Sequence, residues 1–199
     1  MCPKVTGQYK TEVKEKIIQA AVESFAQTGF DRTKMEDIAR RLGLSKGTIY
    51  LYFASKEDLF LAICEHYLKF MKEQQLSTIF NRKEDVVLYA EHFYENFRKL
   101  ERGNDRVMLE MVVESTRNQK LRKGMYEHRL KVYDAVVEHL DKQIERGFIK
   151  KAIDVNGLAS AFVALYDGLA ASRMLGISEA QSKKAWVAMV RAVMAGIGG

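Results

Sequence analysis

A single proline, Pro3, stands in a chain of 199 residues. Beyond position 3 nothing locks φ or removes a backbone donor, so no helix is broken by ring chemistry. An all-β sandwich or barrel needs turn punctuation about every 8–12 residues. One proline and 13 glycines do not supply it. Apolar residues recur instead at helical spacing. Ile17, Ala21 and Phe25 lie four apart, with Ile18 and Val22 beside them, and mark a helix over 11–28. The expected class is all-α.

The starts and stops can be read along the chain. Gly29 ends the first helix in a C-terminal cap position. A second helix over 34–42 buries Ile38, Ala39 and Leu42, and Thr33 with Glu36 has capping-box spacing. Gly43 closes it. A very short helix over 46–52 follows, capped by Ser45. A long helix then starts near Lys56, with Glu57 and Asp58 in its first turn to suit the macrodipole, and runs to about Thr78. Further helices are predicted over 83–101, 106–116, 120–146, 155–175 (capped by Asp154) and 179–197 (capped by Ser178 with Gln181). Gly103-Asn104 and Gly147-Phe148 are turns, and Lys4 and Lys10 sit in a polar arm ahead of the first helix. Three short helices therefore precede about six longer ones. The expected domains are 1–55 and 56–199.

Charge and cysteine content narrow the function. There are 32 Lys+Arg against 26 Asp+Glu, a net charge of +6. Residues 1–56 carry 10 basic and 6 acidic side chains, so most of the excess lies in the first quarter of the chain and points to a polyanionic partner. Cys2 and Cys64 cannot make a disulfide framework or a four-ligand zinc site, which suits a reduced, cytoplasmic setting. The N-terminus lacks the apolar core of a signal peptide, and the most apolar window, 157–175, is interrupted by Asp167 and Arg173. No membrane partner is expected. Each of the four histidines directly follows a glutamate, and adjacent helical residues point about 100° apart, so none of these pairs is a chelate. Zinc-protease, di-iron, P-loop, dinucleotide and nucleophile-elbow motifs are all missing. No metal, cofactor or enzymatic activity is expected. A helix-bundle adaptor and a helical enzyme of undeclared chemistry are the alternative readings.

The two short helices joined by Gly43-Leu44-Ser45 have the spacing of a helix-turn-helix, whose second helix enters the major groove by its N-terminal end. In that helix Ile49, with Phe53 beyond it, is directed to the core. Lys46, Thr48 and Tyr50 place hydrogen-bonding groups around the leading turn, and Gly47 lets backbone approach a phosphate or base edge. Lys46 can donate to guanine O6 or N7, while Thr48 offers a hydroxyl and a methyl for thymine.

The run Gly29-Phe30-x-x-Thr33-x-Met35-x-x-Ile38-Ala39-x-x-x-Gly43-Leu44-Ser45-Lys46-Gly47-Thr48-Ile49-Tyr50-x-Tyr52-Phe53-x-Ser55-Lys56-Glu57-x-Leu59-Phe60 resembles the DNA-binding domain of the TetR family of transcriptional regulators. The resemblance implies that Thr33 offers a hydroxyl to phosphate, with Lys34 where relatives often carry a second Thr or Ser. It implies that Lys46, Gly47 and Thr48 face the bases, that Tyr50 and Tyr52 contact the backbone, that Lys56 pairs with phosphate, and that Ser45 belongs to the same DNA-binding set. It also implies a homodimer on a palindromic double-stranded operator, with half-sites about one helical turn apart, and repression relieved by a small molecule.

The larger domain would then bind effector and partner. Phe93, Phe97, Met108, Met111, Tyr126, Tyr133 and Tyr166 are its aromatic and Met-rich candidates for walls around a sizeable, mostly apolar ligand. Glu110 and Glu114, four apart on one helix face, could meet a cation, but read first as a solvated face. The last two helices are rich in Ala and Gly, which permits close approach, and Phe162, Leu165, Leu169, Trp186, Met189 and Val193 are the candidate dimer surface.

Overall fold

The computed structural model describes residues 7–75, 85–101, 105–150 and 152–197. Its helices are α1 (Gly7–Thr28), α2 (Met35–Arg41), α3 (Lys46–Tyr52), α4 (Lys56–Phe70), α5 (Asp85–Glu101), α6 (Asp105–Ser115), α7 (Gln119–Glu145), α8 (Val155–Met174) and α9 (Glu179–Ile197). No strand occurs among the described residues. The chain is all-α.

The caps explain most boundaries. Asp154 accepts the Gly157 N–H at 2.9 Å ahead of α8. Ser178 and Gln181 form the reciprocal box that opens α9, with N–H to Oγ at 3.2 Å and N–H to Oε1 at 3.1 Å. The box expected at Thr33 and Glu36 is not formed. Lys34 is the N-cap of α2, without a side-chain bond, because Thr33 is turned inward. α1 starts at Gly7, so Lys10 belongs to a helix and not to an arm. Lys4, the turn at Gly103-Asn104 and the end of the long helix near Thr78 lie outside the described residues. α4 passes at Met71–Gln75 into a turn of π-helix.

Packing divides the chain into two compact units. One holds the chain up to His66 together with Arg106–Met125, and the other holds Tyr67–Asp105 and the chain from Tyr126 onward. This is not the division at 55/56 drawn from composition and motif. Leu59, Phe60 and Ile63 of α4 are buried, and the Phe60 ring meets Phe30 edge-on at 6.1 Å, so the start of α4 joins the first unit's core. α6 joins it through Glu110, described below.

In the second unit α9 packs on α5 and α8, and Ala90, Tyr94, Leu169, Trp186 and Val190 are buried together. Asp105, itself buried, receives both Arg98 (2.9 and 3.0 Å) and Arg173 (2.7 and 2.8 Å). Arg173 also donates to the Tyr94 hydroxyl at 2.9 Å. Burial, with a bond to Glu179, pushes that hydroxyl up to about 12.

Candidate nucleic-acid interface and apolar cavity

The turn between α2 and α3 rests on Gly43, whose φ of +65° is a left-handed conformation that side-chain-bearing residues rarely adopt. The reversal lets the Leu44 N–H donate to Ala39 O at 2.9 Å. Ser45 then caps α3, accepting the Thr48 N–H at 3.1 Å while its Oγ lies 2.8 Å from Thr48 Oγ1. Ile49 is completely buried and pins the inner face of α3. The opposite face is left outward, with Ser45, Lys46, Gly47 and Tyr50 exposed and Thr48 and Tyr52 half-buried. A methyl built on Gly47 would touch only Ser45 Oγ, at 3.8 Å. Nothing within the protein requires a glycine there.

Lys46 reaches back to Glu36 on α2, Nζ to Oε1 at 2.7 Å, and lies 5.9 Å from the Tyr50 ring centroid. Their hydrogen bond is the main reason that the Glu36 carboxyl is held below its usual range and the Lys46 ammonium above. The pair is exposed, and such pairs are weak, so a base edge or phosphate can compete for the ammonium. Lys34 is exposed at the head of α2.

Two residues expected at phosphate are turned inward. Thr33 is 4% exposed, and its hydroxyl lies 2.7 Å from Gly29 O and 2.6 Å from Thr28 Oγ1. Lys56 donates to the carbonyls of Phe30 (2.6 Å), Asp31 (3.1 Å) and Thr33 (3.1 Å), with its Nζ 4.3 Å from the Phe30 ring centroid. Desolvation lowers its ammonium below the ordinary lysine range. An ammonium has three donors, and all three are engaged. Both side chains hold the α1–α2 loop and do not project from it.

Glu110 of α6 completes that support. Its Oε2 accepts the Phe30 N–H at 2.8 Å, and Arg106 donates to its Oε1 at 2.7 Å. It does not lie on a solvated face. Eighty residues separate Glu110 from Phe30, and no local spacing announces such a contact.

The second unit holds a half-open apolar cavity of about 110 Å³. Tyr89, Phe93, Phe148, Phe162 and Trp186 supply its aromatic wall. Of the seven ligand candidates, Phe93 lines it. Phe97 and Tyr166 stand behind, with Phe97 stacked on Phe93 at 5.8 Å and edge-on to Tyr166 at 5.2 Å. The others are elsewhere. Tyr126 is 64% exposed and Tyr133 half-buried on α7, while Met108 and the fully buried Met111 belong to the first unit. Tyr89, Phe148, His139 and Gln143 were missed as lining residues, because a helical stripe does not tell a cavity wall from solid core.

The dimer candidates also face inward. Leu169 and Trp186 are buried, and the Trp186 Nε1–H donates to Ala90 O at 3.0 Å. Phe162 lines the cavity, Leu165 and Met189 pack on the same core, and Val193 is half-buried. The residues of α8 and α9 that face outward include a run of small ones, Ala161, Ala164 and Gly168, then Ala185, Ala188 and Ala192, beside longer ones such as Met174, Lys184 and Arg191. Apolar periodicity located one face of each helix, and that face belongs to the chain's own core.

Residues 17–63 match the model of the tetR family of bacterial regulatory proteins, a segment that holds α2, α3 and the turn between them. The helix-turn-helix segment of this chain is that of the TetR family. The chain's relatives and fold are those of transcriptional regulators, not of enzymes. The HTH-type transcriptional regulator YfiR of Bacillus subtilis is 29% identical over 178 residues, covering 85% of this chain and 83% of its own. Another regulator of that bacterium, YerO, is 47% identical over 57 residues, 29% of this chain and 20% of its own length. Two structural neighbours were solved with ligands. A transcriptional regulator from Saccharomonospora viridis in complex with choline has a TM-score of 0.71 at 25% identity, covering 95% of this chain and 99% of its own. FadR from Bacillus subtilis in complex with stearoyl-CoA has a TM-score of 0.66 at 22% identity, with 90% and 95% covered. Among the described residues no helix is long and apolar enough to cross a membrane.

Proposed function

We propose that this TetR-family regulator is a cytoplasmic homodimeric repressor that binds a palindromic double-stranded operator and is released by a mostly apolar small molecule. The observation that carries the reading is the outward edge of α3. Lys46, Gly47, Thr48 and Tyr50 are presented on a helix pinned from behind by Ile49 and capped by Ser45, with only Ser45 Oγ near Gly47. Lys46 and Thr48 read bases, Gly47 admits close approach, and Lys34, Tyr50 and Tyr52 serve the phosphates. Thr33 and Lys56 act from within, by holding the loop that precedes α2.

One reading edge covers only a few base pairs, so two copies related by a two-fold axis are needed to specify an operator. The small-residue stripes of α8 and α9 suit pairing with a second copy at close range. Effector enters the second unit, and its preference for one of two states of the dimer shifts the long helix that starts at Lys56, which changes the spacing of the two α3 helices. A 100-fold preference for one state is worth about 2.7 kcal/mol. The complexes of neighbours with choline and with stearoyl-CoA support effector binding in this fold.

Selection from a random duplex pool tests the proposal. An inverted repeat should be enriched, bound by two copies of the chain, with affinity falling steeply as salt rises. Recovery of no repeat, or of a single half-site bound by one copy, refutes it.

A further inference from the structure

Ile49 is fully buried and fixes which way α3 faces. Each helical residue turns about 100° from the one before, so Thr48 and Tyr50 lie about 100° from Ile49 around the helix, and Lys46 and Tyr52 about 60°. Gly47 and Leu51, two residues to either side of Ile49, lie about 160° from it and form the crown of the helix, the line furthest from the protein. Gly47 has no side chain, so Leu51 carries the one side chain on that line. It is 86% exposed.

The polar groups of α3 are drawn off the crown. Lys46 is held toward α2 by Glu36 at 2.7 Å, and the Thr48 hydroxyl lies 2.8 Å from the Ser45 Oγ that caps the helix. A single exposed leucine on an ordinary surface needs no explanation. This one occupies the centre of the face that the regulator reading directs into the major groove. Long helical side chains lean toward the N-terminus of their helix, which aims Leu51 at the leading turn. A leucine neither donates nor accepts a hydrogen bond, so the polar groups of the base edges offer it nothing. The apolar group that the major groove presents is the C5-methyl of thymine. The surrounding charge favours the same occupant. Lys34 and Lys46 are exposed, and residues 1–56 carry 10 basic against 6 acidic side chains.

We propose that Leu51 is a specificity-determining residue, which packs on the C5-methyl group of one thymine in each operator half-site. This inference rests on the reading of α3 as the base-reading helix, and it adds an apolar contact to the polar ones assigned to Lys46 and Thr48.

The test uses the full chain and the operator selected from the duplex pool. Each thymine is replaced in turn by deoxyuridine, which lacks only the methyl. The parent should lose about four-fold in affinity at the thymine under Leu51, the value of one methyl group returned to water. Leu51→Ala should bind the unmodified operator more weakly, show no further loss at that thymine, and melt at the parent's temperature because the deleted side chain is exposed. Thr48→Ser, which removes the other methyl on the helix and keeps the hydroxyl, should retain the loss at that thymine. A parent indifferent to every thymine methyl overturns the proposal. So does a sensitivity that persists in Leu51→Ala, which would place the leucine on sugar or leave it off the DNA, or one that vanishes in Thr48→Ser instead. Any of these results with a palindromic operator still bound sinks this inference alone. Failure of the parent to bind any duplex sinks the regulator reading and this inference with it.

Discussion

Replacing Lys56 by methionine separates a positioning role from a phosphate contact. The ammonium donates to three carbonyls of the α1–α2 loop at 2.6–3.1 Å and lies over the Phe30 ring. Hydrogen bonds to charged groups contribute about 1.5–3 kcal/mol each, and three on one half-buried ammonium are not additive, so a total of about 2–4 kcal/mol is expected. For a chain of this size about 1 kcal/mol moves Tm by roughly 2–4 °C, which places Lys56→Met on the order of 5–15 °C below the parent. Thermal unfolding measures that term. Operator binding as a function of salt, at a temperature where both proteins are folded, measures the other. A lysine on phosphate contributes about 0.9 to the slope of log affinity against log salt. With Lys56 occupied inside the protein, affinity should drop while the slope stays the same. A slope shallower by about 0.9 with an unchanged Tm would refute the reasoning and place the ammonium on DNA.

Other outcomes follow from the same geometry. Gly47→Ala should raise stability by up to about 1 kcal/mol through helix propensity, because the added methyl meets only Ser45 Oγ at 3.8 Å, and should weaken operator binding. Thermal melts and titrations on one preparation check both signs. Glu110→Ala leaves the Phe30 N–H without its acceptor. It should cost about 1–3 kcal/mol and speed hydrogen exchange at Phe30. Asp105→Asn strips the shared carboxylate from Arg98 and Arg173. Denaturant unfolding should show a loss of about 3–5 kcal/mol, the range for breaking a buried pair. Asp58 is held below the usual carboxylate range mainly by the Lys120 hydrogen bond, then by Ser55. Its folded pKa is depressed, so its contribution is present above about pH 4 and is lost as pH falls through the folded value. In Lys120→Met the acid limb of stability should be shallower below about pH 4.

Much of the fold was legible because its signals are local. Ser45, Asp154 and the Ser178–Gln181 pair cap the helices they precede in sequence, and each cap needs only residues three positions apart. The bounds of α3 were legible residue for residue, since Gly43 and Ser45 encode the turn and the cap. What failed was decided by distant partners. Thr33 has the spacing of a capping box, but the carbonyl of Gly29 takes its hydroxyl. Lys56 looks like a free cation at a helix start, yet three loop carbonyls more than twenty residues earlier engage it. Trp186 lies on an apolar stripe that could face a partner or the chain's own core, and periodicity treats the two alike. Gln143 carries no sequence signal, because a cavity wall is defined only by what surrounds it.

The central claim is that the outward edge of α3 reads bases. The most direct test compares the base preference of the parent and Thr48→Ala at every position of the selected operator. The account predicts that preference relaxes at one position in each half-site, by about 1–3 kcal/mol of discrimination, and persists elsewhere. An unchanged preference profile, with affinity merely reduced at all positions alike, would contradict it.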